Sequence, residues 1–302
     1  MSSAYPFKSL QALIINRCNY RCTMCDIWKG RKTVDLLEVA DLQHLVGEQF
    51  EFFSINGGEP TLHPRFHEIV EFVHDKIKPG MLLVCSNGSQ PHYLEHVAWK
   101  YNDIAISVSF DGMKSHNQVR GVPRALRNVL DCVRFLRPYK CRKILSYTCM
   151  DINKREIRES FEYAMHEGWE FDFRLVDQND LYGKSPLTMD EELYNDLRWL
   201  IENESDKAKK LFYQGYFEKP AFVCQAGKRF AYLLPDKKFY ACLSQTEPIG
   251  TLETGLVRTL DCNCGCWVDC YFYDNFHEQL ENLSCMDTNH KRGGERNGAT
   301  FD

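Results

Sequence analysis

The chain has 302 residues, 44% of them hydrophobic, and a formal net charge of −5 at pH 7. That length can bury one large core or two smaller ones, while the acidic balance and the lack of a dense Lys/Arg run exclude a phosphate-tracking stripe for nucleic acid. The N-terminal stretch lacks the basic, apolar and small-residue order of an export signal, and no segment has the roughly 18 apolar residues of a membrane span. A cytoplasmic location without membrane association is therefore expected.

In chain order, residues 10 to 176 alternate short apolar runs with amphipathic segments, the pattern of an α/β fold with a parallel sheet and helical crossovers. Six strands are expected, at "LQALII", "FEFFSI", "GMLLVCS", "DIAISVSF", "KILSYTCM" and "FDFRLV". Helices are expected between them, near 35–47, 64–78, 91–100, 123–137 and 154–167. Right-handed crossovers wind such units into an open or partial barrel, with chemistry in the loops at the carboxyl ends of the strands. Cys18 follows the first strand, "NGGEP" the second and "SNG" the third, and "SFDG" ends the fourth. A polar segment, "DQNDLYGKSPLTMD", leads to a helix near 189–203, and beyond it the chain turns cysteine-rich. Cys224 and Cys242 flank a Pro-Asp-Lys-Lys turn between two apolar runs, which reads as a β-hairpin. The expected organisation is a barrel over 1–205, a small cysteine-rich module of hairpin and helix over 206–285, and a disordered tail over 286–302.

Fourteen cysteines in a reducing compartment are hard to read as a disulfide framework, so clustered thiols point to metal. Three thiolates on one loop, Cys18, Cys22 and Cys25, can hold three corners of an iron–sulfur cube and leave the fourth iron open for a chelating ligand. The Gly57–Gly58 turn permits close backbone approach, and Glu59 is available to meet a cation. A partial zinc site completed by a histidine is the competing reading. It has no His at finger spacing and leaves "GGEP" unexplained.

The C-x-x-x-C-x-x-C spacing of Cys18, Cys22 and Cys25, followed by "GGEP" after the second strand, resembles the radical S-adenosylmethionine (radical SAM) superfamily over roughly residues 8–180. The resemblance implies a partial (β/α)6 barrel and a [4Fe-4S] cluster whose open iron binds the amino and carboxylate groups of S-adenosylmethionine. It also implies reductive cleavage to a 5′-deoxyadenosyl radical that abstracts a substrate hydrogen, and an electron donor such as flavodoxin or ferredoxin. Carried over by motif, Gly57, Gly58, Glu59 and Pro60 line the methionine amino end, and Ser107, Ser109 and Asp111 approach the ribose or carboxylate. Arg120, in "NQVRG", is a further candidate for the carboxylate. Met24 stands where the family commonly has an aromatic residue, making the adenine contact a softer thioether one. No catalytic acid or base is assigned.

The later cysteines resemble the twitch module, a short form of the SPASM domain, which implies one auxiliary iron–sulfur cluster, expected as [4Fe-4S]. Its expected ligands are Cys224, Cys242, Cys266 and Cys270, with Cys264 as first reserve and Cys262 beside it. Zinc held by the same four thiolates is the alternative. Trp267 is expected to pack the module. Cys85, Cys132, Cys141 and Cys149 fall in apolar segments and are expected to be small buried side chains. Arg174, a charge inside an apolar strand, must be paired or face a cavity.

The leading functional expectation is an oxidoreductase acting on a small molecule such as a sugar or cyclitol in a natural-product or saccharide pathway. A peptide-modifying maturase, making crosslinks or epimers, is the second; the first strand begins near residue 10, which leaves no room for an N-terminal leader-binding domain. A non-catalytic iron–sulfur or zinc protein is the third.

Overall fold

The computed structural model describes residues 5–29, 35–176, 185–218 and 224–258. Six parallel strands run in sequence order across the sheet: β1 (Ser9–Leu13), β2 (Phe52–Asn56), β3 (Met81–Ser86), β4 (Ala105–Ser109), β5 (Arg142–Cys149) and β6 (Glu170–Leu175). Helices α1 (Val39–Leu42), α2 (Phe66–Phe72), α3 (Pro91–Lys100), α4 (His116–Arg120), α5 (Ala125–Leu136) and α6 (Ile157–His166) connect them. α7 (Glu191–Asn203) and α8 (Lys207–Glu218) follow. All six expected strands are present, in the α/β architecture expected. The helix expected over 35–47 shortens to α1 and a 3-10 turn, Gln43–Leu45, and the one over 64–78 ends in a π-turn, Val73–Ile77. α4, one turn long, is additional to the expected helices, and α8 falls within 206–285, where a helix is expected without a position.

The expected hairpin is formed by β7 (Phe230–Leu233) and β8 (Lys238–Tyr240), paired antiparallel, with Lys237 taking a left-handed φ of 65° in the turn. β9 (Gly250–Thr251) and β10 (Gly255–Leu256) extend it. β7 pairs parallel with β1, Leu10 opposite Ala231, so this segment continues the barrel's own sheet. At the other edge, α8 covers β6. The Tyr213 and Tyr216 hydroxyls accept from the N–H groups of Phe173 and Leu175 at 3.1 and 3.3 Å, and Lys209 Nζ donates to the Phe171 carbonyl at 2.9 Å. Side chains thereby satisfy backbone groups that an edge strand leaves open.

Alternation along each strand separates two apolar regions. Outward residues such as Leu10, Phe53, Val84, Ile106 and Leu145 pack under the helices in the main core. Inward residues Phe52, Leu83, Ala105 and Ile144 form a smaller cluster inside the barrel, near the amino ends of its strands. The carboxyl ends of the strands are left open to a cavity.

Candidate active site

The loop carrying Cys18, Cys22 and Cys25 is fastened from two directions. From the β2 side, Gly58 N–H donates to the Ile15 carbonyl at 2.7 Å and Glu59 N–H to the Arg17 carbonyl at 2.9 Å. A Cβ on Gly58 would lie 2.2 Å from the Arg17 carbonyl oxygen, so only glycine lets the two loops meet. From the α4 side, the Arg21 and Thr23 N–H groups donate to the carbonyls of Arg120 and Val119 at 3.1 and 2.9 Å. The helix ends at Gly121, φ 64°, which a side chain would drive into the Arg21 carbonyl.

Tyr20, Cys22, Met24, Val119, Met150 and Val176 form an apolar wall around the thiols, with Cys18 and Cys25 packed against it. Burial pushes the Cys18 and Cys25 thiols up to about 12 and about 11, and Cys22 is raised too. Any metal loaded here must therefore displace protons. Donors already face the sulfurs. Tyr20 N–H and Asn87 Nδ2 point at Cys18 Sγ from 3.4 and 3.8 Å, and Arg120 Nη1 at Cys22 Sγ from 3.7 Å. Among the described residues, no three His, Cys, Asp or Glu side chains are gathered as on a single ion. Three thiols on one loop, backed by an apolar wall and met by N–H donors, could hold three corners of an iron–sulfur cluster.

Glu59 is fully buried. Its Oε1 accepts from Thr61 N–H (3.2 Å), Thr61 Oγ1 (2.6 Å) and Ser86 Oγ (2.8 Å), while Oε2 accepts only from Asn87 N–H, at 2.7 Å. Acceptor capacity remains on Oε2. Burial pushes the carboxyl above its ordinary range, against the pull of these donors. A cation arriving beside it would therefore gain more than at a solvated carboxylate.

Arg120 and Asp111 form a buried pair: Nε lies 2.5 Å from Asp111 Oδ2, and Oδ1 accepts from Thr148 N–H at 3.1 Å. Burial would raise the Asp111 carboxyl, but Arg120 and His116 override it and hold it at about 2. Arg120 lines the cavity, whereas Asp111 stands behind it. The structure thus puts Asp111 in support of the guanidinium, not on the cavity surface.

That cavity, of about 310 Å³, is lined by Cys18, Cys22, Cys25 and Met24, by Gly57 to Pro60, by Ser107 and Ser109, and by Arg120. It continues into the barrel, where alternate strand positions present Gln11, Ser54, Ser146 and Thr148, together with Asp172 and Arg174. Arg174 Nη2 donates to Asp172 Oδ2, so the strand charge is both paired and turned to the cavity. Of the polar residues of this wall, only Arg174 is singled out by the sequence; Gln11, Ser54, Ser146, Thr148 and Asp172 are not. Their signal was present, as single polar residues at inward positions of otherwise apolar strands. Cys85 also lines the cavity, while Cys132, Cys141 and Cys149 are buried. Cys224 and Cys242 are buried, and Cys242 reaches the same cavity; Cys262, Cys264, Cys266, Trp267, Cys270 and the expected tail lie outside the described residues.

Residues 13–164, half of the 302-residue chain, match the family model of the Radical SAM superfamily, and the chain belongs to that superfamily of enzymes. Within it, the chain is 30% identical over 118 residues to GTP 3′,8-cyclase of Photorhabdus laumondii, covering 36% of each protein. It is 32% identical over 111 residues to 7-carboxy-7-deazaguanine synthase of Methanothermobacter thermautotrophicus, covering 32% of this chain and 42% of the relative. The matches therefore span well under half of either curated relative. In fold, the chain is similar to Streptococcus suis SuiB bound to S-adenosylmethionine, with a TM-score of 0.66 at 12% identity, over 90% of this chain and 66% of SuiB. No helix among the described residues is long and apolar enough to cross a membrane.

Proposed function

We propose that Cys18, Cys22 and Cys25 hold a [4Fe-4S] cluster and that the cavity beside them binds S-adenosylmethionine. The observation that carries this is the opening of three thiols, the buried Glu59 and the Arg120 guanidinium onto one cavity. When bound, the pair supplies a carbon-centred radical able to take hydrogen from an unactivated C–H bond. The chain's own residues do the rest. Glu59 Oε2 receives the methionine ammonium, Arg120 faces its carboxylate, Ser107 and Ser109 offer hydroxyls to the ribose, and Met24 gives a thioether surface to the adenine. Gly57, Gly58 and Pro60 shape the loop that brings Glu59 there, and Asp111 orients Arg120.

The substrate is read as a small hydroxyl-bearing molecule, in the class of sugars and cyclitols. The inner wall supports this, because Gln11, Ser54, Ser146 and Thr148, with the paired Asp172 and Arg174, offer hydrogen bonds to hydroxyl groups. Peptide modification is the second reading, favoured by the likeness in fold to SuiB, which is also known bound to its precursor peptide SuiA. Cys224 and Cys242, with Cys266 and Cys270 from the segment 206–285, are proposed to hold an auxiliary cluster at the cavity's rim. An electron donor such as flavodoxin or ferredoxin is proposed.

The test is anaerobic reconstitution followed by a strong reductant and S-adenosylmethionine. 5′-Deoxyadenosine should form with the parent and not with the Cys18→Ala, Cys22→Ala, Cys25→Ala variant. Iron-loaded parent that forms none overturns the reading. Hydrogen transfer from deuterated polyols, or from peptides, into 5′-deoxyadenosine then separates the two substrate classes.

A further inference from the structure

Asn87 stands where the third strand's loop meets the cysteine loop, and its side-chain amide and backbone N–H are all engaged. Ser89 N–H donates to Asn87 Oδ1 at 2.8 Å, which fixes the amide so that Nδ2 faces the cysteine loop. Nδ2 has two protons: one goes to Asn19 Oδ1 at 2.9 Å, and the other faces Cys18 Sγ at 3.8 Å. Asn19 Nδ2 closes the ring by donating to Ser89 Oγ at 2.9 Å. The backbone N–H of Asn87 points the other way, to Glu59 Oε2 at 2.7 Å. One buried residue at the cavity wall therefore serves a thiol with its side chain and a carboxylate with its backbone.

We propose that Asn87 is a positioning residue whose amide, by donating to the Cys18 sulfur, makes the bound cluster easier to reduce. This rests on the reading of Cys18 as a cluster ligand. Reduction adds negative charge that is shared onto the thiolate sulfurs, and an N–H donor aimed at one of them stabilises the reduced form. The side chain can be changed without touching the Glu59 contact, because that contact is made by the backbone. Arg120 offers no such separation, since its guanidinium faces Cys22 and also anchors Asp111.

The experiment uses the full chain, reconstituted anaerobically, as parent, Asn87→Ala and Asn87→Asp, each checked for iron content and circular dichroism. A redox titration follows the electron paramagnetic resonance signal that responds to added S-adenosylmethionine, which keeps a second cluster out of the measurement. At a fixed poise, the oxidised-to-reduced ratio should rise about tenfold in Asn87→Ala, equivalent to ~59 mV for a one-electron couple. It should rise further in Asn87→Asp, which puts a carboxylate where the donor was. Unchanged midpoints in iron-loaded variants overturn the role of Asn87 while leaving the cluster assignment standing; a parent that takes up no iron overturns both. A second measurement needs no variant. With asparagine side-chain nitrogen labelled in the parent, pulsed resonance of the reduced cluster should show coupling to that nitrogen, and its absence overturns the proposal.

Discussion

Arg120 Nε lies 2.5 Å from Asp111 Oδ2 while Nη1 of the same guanidinium lies 3.7 Å from Cys22 Sγ, so one buried cation joins the end of β4 to the cysteine loop. Asp111→Asn keeps the shape but leaves the guanidinium without its counter-charge. Breaking such a pair costs roughly 3–5 kcal/mol. Urea unfolding of the metal-free chain at pH 7 should show a loss of that order. A loss below about 1 kcal/mol, the range of solvent-exposed pairs, would mean that water reaches the pair.

The same pair sets an acid limit. The Asp111 carboxyl is held at about 2, below its ordinary 3.8, so the unfolded chain binds a proton before the folded one does. Its stabilisation is complete above about pH 4 and is lost as pH falls through about 2. In a comparison of parent and Asp111→Asn, the stability difference should hold from pH 7 to 5 and shrink below pH 4. A difference that grows on acidification contradicts the pairing.

The six strands were legible because each apolar run is bounded by turn residues and carries β-branched or aromatic side chains. The loops with Cys18, "GGEP", "SNG" and "SFDG" were legible for the same reason, lying just past those runs. What was not legible depends on neighbours distant in sequence. Asp111 looked like a cavity residue, yet its direction is set by Arg120 and Thr148. Asn87, in the "SNG" after the third strand, carries no local sign of its partners Cys18, Asn19 and Glu59. The docking of helix α8 on β6 was not legible, because its tyrosines serve the edge of that strand, a role with no local pattern.

Gly58 tests how the cysteine loop is held. A Cβ there would sit 2.2 Å from the Arg17 carbonyl and 2.8 Å from the Cys18 nitrogen, both backbone atoms that cannot swing aside. Gly58→Ala should displace the loop and lower iron incorporation severalfold, while the helical signal of the barrel persists. Parental iron content in the variant would show that the two loops can separate without cost to the site.

Glu59 tests the ammonium contact. Glu59→Gln keeps the volume but removes the charge that a cation would meet at Oε2. Iron content should stay at the parental level, while the dissociation constant for S-adenosylmethionine, read by calorimetry, should rise about tenfold or more, ~1.4 kcal/mol. An unchanged constant would remove Glu59 from the binding site and leave it as the anchor of Thr61, Ser86 and Asn87.

Cys242 tests the second metal. It is buried, and it lines the cavity that holds Cys18, Cys22 and Cys25, so a cluster bound there would lie at the wall of the substrate space. With two four-iron clusters the reconstituted parent should contain roughly eight irons per chain, and Cys242→Ala should lose about half. Because the first site is built from other residues, 5′-deoxyadenosine should still form in the folded variant. Substrate product should fall much further, since a substrate left with an unpaired electron needs an acceptor nearby. Full iron content in the variant would remove Cys242 from the ligand set. Halved iron with product at the parental rate would make the second site structural, and the oxidoreductase reading would lose its main support.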